Sequence, residues 1–237
     1  MRFTKTLCFA VTLCTLNACS NLNSIVPKVG GAKSETSETQ TAEASSAAEI
    51  NGDSSDQPGE AAAAKPVATV NPYLANPKPV PVDIEQLFKR ALKLHRLQDW
   101  SEAELAWEEL TLVAPELSGP YLNLGIVFEA TDRPEEAARA YQAAIDANPL
   151  NVDAYNQLAI LKRKSGEFSE AEQLYTQALQ VWPDHPASHR NIAILYDLYM
   201  GKLEQALDHY QQYESLLDEP DRSLEGWIAD LRRRIDS

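Results

Sequence analysis

Residues 121–151 read YLNLGIVFEATDRPEEAARAYQAAIDANPLN, and two helices joined by a short turn are written into that stretch. Tyr121, Leu124 and Phe128 recur at steps of three and four, which puts them on one helix face. Thr131-Asp132-Arg133-Pro134 interrupts the pattern. Pro134 suits the first turn of the next helix, where a missing N–H loses nothing. Ala137, Tyr141 and Ala144 form a second stripe that stops at Asn148-Pro149. One such hairpin cannot bury its apolar stripe alone and needs neighbours of its own kind.

Those neighbours lie 34 residues away on either side. Ala137, Tyr141 and Pro149 are matched upstream by Ala103, Trp107 and Pro115, and downstream by Ala171, Tyr175 and Pro183. One further step, with a single residue inserted before Gly201, reaches Ala206 and Tyr210. The chain therefore divides into units of about 84–117, 118–151, 152–185 and 186–220. Residues 221–237 follow as one more helix, with Leu224, Trp227, Ile228 and Leu231 forming a stripe that seals the open end. Arg232, Arg233 and Arg234 fall in its last turn, where positive charge suits the helix dipole; a basic interaction patch is the alternative reading.

Composition narrows the functional classes. The 237 residues carry a formal net charge of −14. From Ile84 onward 27 Asp+Glu stand against 15 Lys+Arg, a net of −12. Binding nucleic acid through its phosphates needs a basic face, so nucleic acid is disfavoured as a partner. All three cysteines, Cys8, Cys14 and Cys19, precede residue 20, which leaves the repeat region without thiol chemistry.

The amino terminus reads as an address. A basic start, Met1 to Lys5, precedes the mostly apolar run Thr6–Leu16, too short for a bilayer span of about 20 residues and proportioned like a signal-peptide core. It ends in Leu16-Asn17-Ala18-Cys19, which resembles the bacterial lipobox, with Asn17 less usual at its place. The resemblance implies a signal peptide over 1–18 and acylation of Cys19, and Ser20 implies sorting to the outer membrane. Several acyl chains give stable anchoring where one is marginal. The alternative is an ordinary cleaved signal peptide that happens to hold a cysteine.

Residues 19–83 are rich in Ser, Glu, Ala and Pro and poor in large apolar side chains, so the sequence predicts a disordered tether. As a coil of about 60 residues it spans roughly 40–45 Å root-mean-square. Pro72, Pro77, Pro79 and Pro81 stiffen its end. A flexible leash and a merely tolerated linker are both compatible with such a composition.

The repeat pattern resembles the tetratricopeptide repeat over about Ile84 to Pro220. Tyr121, Leu124-Gly125 and Phe128 match that family's first-helix signature. Tyr155 and Leu158-Ala159 answer them in the third unit, with Lys162 in place of the aromatic; His189, Ile192-Ala193 and Tyr196 answer in the fourth. Leu87, Arg90-Ala91 and Leu94 make a weaker first unit, as a terminal repeat allows. The resemblance implies an all-α, right-handed superhelical α-solenoid of about four helix-turn-helix units with a C-terminal capping helix, preceded by the disordered linker. Ala103, Ala137, Ala171 and Ala206 are expected where paired helices approach closest, and Trp107, Tyr141, Tyr175 and Tyr210 between units.

The resemblance also implies a concave groove, lined by first helices, that holds a segment of another protein. One step off the packing stripe stand Phe88, Leu92 and His95; Leu122, Ile126 and Glu129; Asn156, Ile160 and Arg163; and Arg190, Ile194 and Asp197. Leu92, Ile126, Ile160 and Ile194 form an apolar row, and Asn123, Asn156 and Asn191 are placed to bond a partner's backbone amides. Packing between neighbouring helices is the alternative role for this row. Phe88 and Leu92 stand where chaperone-binding members carry Lys and Asn, so that family's carboxylate clamp is not expected.

Catalysis is not expected either. His185 and His189 straddle a unit boundary, and no ligand set of usual metal spacing completes them. Phosphate loops and nucleophile elbows are lacking. The sequence thus predicts an outer-membrane-anchored periplasmic scaffold that binds a protein or peptide segment and needs no cofactor, metal or small-molecule substrate. A pilotin-like assembly factor for type IV pili or secretins, and a regulator of cell-envelope enzymes, are the alternatives.

Overall fold

The computed structural model describes residues 69–75 and 79–237. The expected signal peptide, Cys19 and the expected tether up to residue 68 lie outside the described residues. The described residues form ten α-helices: α1 Pro72–Ala75, α2 Val82–Arg96, α3 Trp100–Val113, α4 Ser118–Ala130, α5 Pro134–Ala147, α6 Val152–Lys164, α7 Phe168–Val181, α8 Pro186–Leu195, α9 Leu203–Ser215 and α10 Arg222–Ile235. A π-helical segment, Tyr196–Met200, extends α8. The described residues form no strand, and the fold is an all-α solenoid in which α2–α3, α4–α5, α6–α7 and α8–α9 pair as antiparallel hairpins. The first hairpin begins at Val82, two residues ahead of the boundary the repeat spacing sets.

The hairpins close on small residues. Ala103, Ala137, Ala171 and Ala206 are fully buried, as are Trp107, Tyr141 and Tyr175, with Tyr210 nearly so. Each such ring removes about 150–250 Å² from water, on the order of 4–6 kcal/mol at about 25 cal/mol per Å², before the entropy of ordering it. Tyr141 lies so near the α4 backbone that a Cβ on Gly125 would meet its Cδ1 at 2.6 Å. The residues that start and stop the helices are local. Pro134 and Pro186 open α5 and α8. The Asn151 side chain accepts from the Ala154 N–H at 3.3 Å, and Asp221 accepts from the Ser223 and Leu224 N–H groups, satisfying donors that a helix start leaves orphaned.

Every hairpin turns through one left-handed residue at the same place in the repeat: Gln98, Asp132, Gly166 and Gly201, with φ between 57° and 83°. The inserted residue of the fourth unit falls just before the last of these. It is absorbed by the π-helical turn, the usual way a helix takes in one extra residue.

Three expectations are corrected in detail. Residues 69–75, read from sequence as part of a structureless tether, are laid against the solenoid: the Thr69 N–H donates to Asp184 at 2.6 Å, and α1 follows an Asn71 turn. Helix α4 carries no single apolar stripe; it is buried nearly all round, from Ser118 through Phe128, because it lies between α3 and α5 in mid-array. In the closing helix Leu224, Ile228 and Leu231 are buried, but Trp227 is 42% exposed. Its ring tilts against Tyr210 at 6.0 Å rather than entering the core. Arg234 reaches back to Asp197 at 2.6 Å, while Arg233 pairs within the helix to Asp230.

Candidate functional site

The row read from sequence as a groove splits into a buried part and an accessible part. Leu92, Leu122, Asn123, Asn156 and Asn191 are buried. Phe88, Ile126, Ile160, Arg163 and Ile194 are half-buried, and Arg190 is exposed. Ile160 and Ile194 also pack against the core of the third and fourth units, so each serves both packing and surface.

The three asparagines are spoken for to different degrees. The Asn191 amide donates to Asn156 Oδ1 at 3.0 Å, tying α8 to α6. The Asn123 amide donates to its own helix at Gly119 O, at 2.9 Å, while its Oδ1 is buried without a hydrogen bond. A buried acceptor left unpaired costs on the order of 1–3 kcal/mol. Phe88 stands edge-on to Trp107 at 5.0 Å, and the Trp107 indole N–H donates to His95 Nδ1 at 3.3 Å. That bond needs the neutral imidazole, in keeping with burial pushing the His95 pKa below its usual value.

Charge gathers at the far end of the row. The Arg163 guanidinium lies 5.6 Å over the Tyr199 ring and donates to its hydroxyl at 3.4 Å. Arg163 also lies by the Tyr175 hydroxyl, whose pKa burial pushes up to about 12 against the guanidinium's opposing pull. Arg190 stands 6.0 Å over the Trp227 ring. Glu129 accepts from the Tyr141 hydroxyl at 2.6 Å and from Lys164 at 2.8 Å, and burial beside that carboxylate raises the Tyr141 pKa. What the row leaves accessible is half-buried isoleucines, with two arginines lying on aromatic rings nearby.

The histidines serve structure. His189 Nε2 bonds Pro183 O at 2.7 Å and its Nδ1 meets His209 Nδ1 at 2.9 Å. With His189 donating through Nε2, its Nδ1 is the acceptor and His209 Nδ1–H the donor, an arrangement of two neutral rings. Burial lowers both pKa values, that of His209 to about 4. His185 bonds Ser188 at 2.7 Å and faces Asp153. Among the described residues no group of three potential ligands could hold a metal ion, and no helix is long and apolar enough to cross a membrane.

Residues that sequence reasoning missed are Trp182, Asp184 and Ser118 on the array and Thr69 and Tyr73 on the approach. The Trp182 indole N–H donates to Thr69 O at 3.0 Å, and the Ser118 hydroxyl donates to the Tyr73 hydroxyl at 3.4 Å. One signal was available: Tyr73 is the only aromatic between Ser20 and Pro81.

Stacked helical hairpins of 34-residue pitch, closed on alanines and wedged by aromatics, define a helical repeat protein. Profiles of the tetratricopeptide repeat match residues 88–152 and 122–161, and a second such profile matches 151–219; the chain belongs to the tetratricopeptide repeat family. Among solved structures it is similar to Pseudomonas aeruginosa PilF, at TM-score 0.57 and 19% identity, covering 65% of this chain and 69% of that one. It is also similar to a thermophilic TPR protein of Thermus thermophilus, at TM-score 0.53 and 24% identity, covering 65% and 83%. These likenesses concern the fold. In sequence it is 32% identical over 109 residues to a CTR9 homolog of Arabidopsis thaliana, covering 46% of this chain and 10% of the relative. It is 31% identical over 88 residues to a peroxisomal targeting signal receptor of Candida glabrata, covering 37% and 15%. The chain thus spans a small fraction of the length of these curated relatives.

Proposed function

We propose that this protein is a non-enzymatic scaffold that binds a segment of another protein along its first helices, and that acylation of Cys19 tethers it to the outer membrane with the solenoid facing the periplasm. The observation that carries the binding half is the recurrence of half-buried Ile126, Ile160 and Ile194 at one register position of three successive units, with Arg163 and Arg190 beside them. Arginine and aromatic side chains are what protein-binding surfaces enrich, and here Arg163 lies on Tyr199 and Arg190 on Trp227. A relative whose name marks it as a receptor for a targeting signal is 31% identical to this chain over 88 residues. The anchoring half rests on the lipobox-like Leu16-Asn17-Ala18-Cys19.

The test is capture from envelope extracts by the full chain and by the Ile126→Gln/Ile160→Gln variant, with helicity checked by circular dichroism. Leu92 is too buried to probe binding without unfolding. Loss of specific captured proteins with helicity intact is the expected result; an unchanged set of captured proteins counts against the groove. Pilus or secretin subunits among the captured proteins identify an assembly role, and cell-wall enzymes a regulatory one. Cys19→Ser is expected to move the protein from the membrane to the soluble fraction, and its staying in the membrane fraction counts against the anchor.

A further inference from the structure

The segment Thr69–Ala75 runs across the array against the order of the units. Thr69 meets Trp182 and Asp184 at the boundary of the third and fourth units, and Tyr73 meets Ser118 at the start of the second. The chain then enters α2 in the first unit. Both bonds at Thr69 are made by its main chain: its N–H donates to Asp184 Oδ2 at 2.6 Å, and its C=O accepts from Trp182 Nε1 at 3.0 Å. A carboxylate and an indole N–H placed to engage both groups of one residue read extended backbone rather than a particular side chain, as in strand-addition modes of peptide recognition. The second contact point is prepared independently. Ser118 is buried, its hydroxyl accepts from Asn151 Nδ2 at 3.1 Å, and it presents its own O–H to the Tyr73 phenol. Gly119 beside it lies close to both Phe88 and the Tyr73 hydroxyl, each within 4 Å of where a Cβ would stand, an ordinary packing distance.

We propose that Trp182 and Asp184, with Ser118 as the second point, form a binding site for an extended polypeptide carrying an aromatic hydroxyl four residues after the clamped one, and that Thr69–Ala75 is its tethered occupant, displaced when a partner segment binds. The inference rests on the scaffold reading and supplies its regulation. Thr69 is exposed and held by two surface bonds, so the occupant is weak in itself. It competes through tethering: only residues 76–81 separate α1 from α2, and a short tether gives an effective concentration of about millimolar. A partner's apparent affinity is reduced by the fraction of sites its competitor leaves open. The Thr69 N–H also holds the Asp184 carboxyl below its usual pKa, so the clamp keeps its acceptor ionised.

The experiment uses the whole chain and, as probe, a fluorescent peptide of residues 66–75, PVATVNPYLA. In one variant residues 69–75 are replaced by Gly and Ser at equal length. The probe is expected to bind that variant about tenfold or more tighter than wild type, and adding Trp182→Phe, which keeps an aromatic ring and removes the indole N–H, is expected to abolish the gain. Equal binding to wild type and the replaced variant, with both helical, overturns the proposal; so does a gain that survives Trp182→Phe. Ile126→Gln/Ile160→Gln in the replaced background separates the two readings. Probe binding that persists while extract capture is lost or unchanged speaks to the groove alone, and capture that depends on the isoleucines while the probe never binds fells the clamp alone.

Discussion

The second and fourth units obey one repeat pattern with different residues, and the contrast shows what the pattern constrains. In the second unit Phe128 is covered by the Arg133 guanidinium at 4.4 Å; in the fourth, at the same two places, Tyr196 is covered by Lys202 at 5.0 Å. Arg133 also reaches back to Glu104 of the previous unit, and Lys202 to Glu172 at the equivalent place. The third unit carries Lys162 for the aromatic and Glu167 for the cation, and those two pair at 2.7 Å instead. What is held constant is a contact between two register positions, not the chemistry that makes it. The units differ most where the fourth is a residue longer. The π-helical turn there places Leu198 66% exposed and sets Tyr199 against Phe168 and Arg163, whereas the second unit ends its first helix with no such outward pair.

The sharpest break in this likeness is at Gly125, where the fourth unit has Ala193 and the third Ala159. Tyr141→Ala, which empties a fully buried site, is expected to cost about 3–5 kcal/mol by denaturant unfolding. Gly125→Ala gains about 1 kcal/mol in helix propensity, but its Cβ meets a ring face at 2.6 Å, and overpacking of that kind costs about 1–3 kcal/mol. The clash is with a ring rather than the tip of a flexible chain, so net destabilisation is expected. The mirror change, Ala193→Gly, is expected to cost about 1 kcal/mol in propensity and about 1 kcal/mol more for the buried methyl group it removes. If Gly125→Ala instead raised the urea midpoint, the close approach of Tyr141 would not be what requires glycine in the second unit.

A second difference is titratable. Where the second unit has Tyr121 and Ala140, the fourth has His189 and His209, bonded to each other and held neutral by burial. An imidazole whose folded pKa lies below its unfolded value of 6.5 takes up fewer protons folded than unfolded. Its stabilising contribution is therefore full above about pH 6.5 and is lost as the pH falls toward 4. For His209 the loss is on the order of 3 kcal/mol, with His189 and His95 adding in the same direction. Writing the second unit's residues into the fourth, as His189→Tyr/His209→Ala, is expected to flatten the dependence of the urea midpoint on pH between 6.5 and 4. An unaltered slope would place the titration elsewhere.

Periodicity made the scaffold legible because spacing is geometry: alanines and aromatics at a 34-residue pitch are where helices approach, whatever surrounds them. The groove was legible only in part. Sequence register cannot distinguish Leu92 and Leu122, which neighbouring helices cover, from Ile126, which they leave half open, since all three stand one step off the packing stripe. The Asn191 amide, read as a group for a partner, is instead spent on Asn156 Oδ1 of another helix. That pairing needs the inter-unit distance, which no single unit contains. The Thr69 contacts were hidden for a different reason: two main-chain bonds leave no trace in side-chain composition, and Pro72 and Pro79 around Tyr73 read as linker.

The smallest expected effect isolates the backbone. Asp132 and Gly201 occupy one register position with φ of 59° and 65°, a region that strains a residue with a Cβ by about 1 kcal/mol or somewhat more, Asp less than most. Asp132→Gly removes that strain and gives back some of it in unfolded-chain entropy, for a net gain of a few tenths to about 1 kcal/mol. Gly201→Ala meets nothing within 4 Å, so its cost, about 1 kcal/mol, comes from φ alone. Opposite shifts of the urea midpoint are the expected pair of outcomes. Were both changes to shift it the same way, the turns would differ in more than the presence of a Cβ, and the π-helical segment directly before Gly201 would be where to look for the difference. That turn takes its last hydrogen bond from Lys202 N–H to Tyr196 O at 3.0 Å, spanning one residue more than the Arg133 N–H to Phe128 O bond at the equivalent place, so the same left-handed residue closes two loops of unequal length.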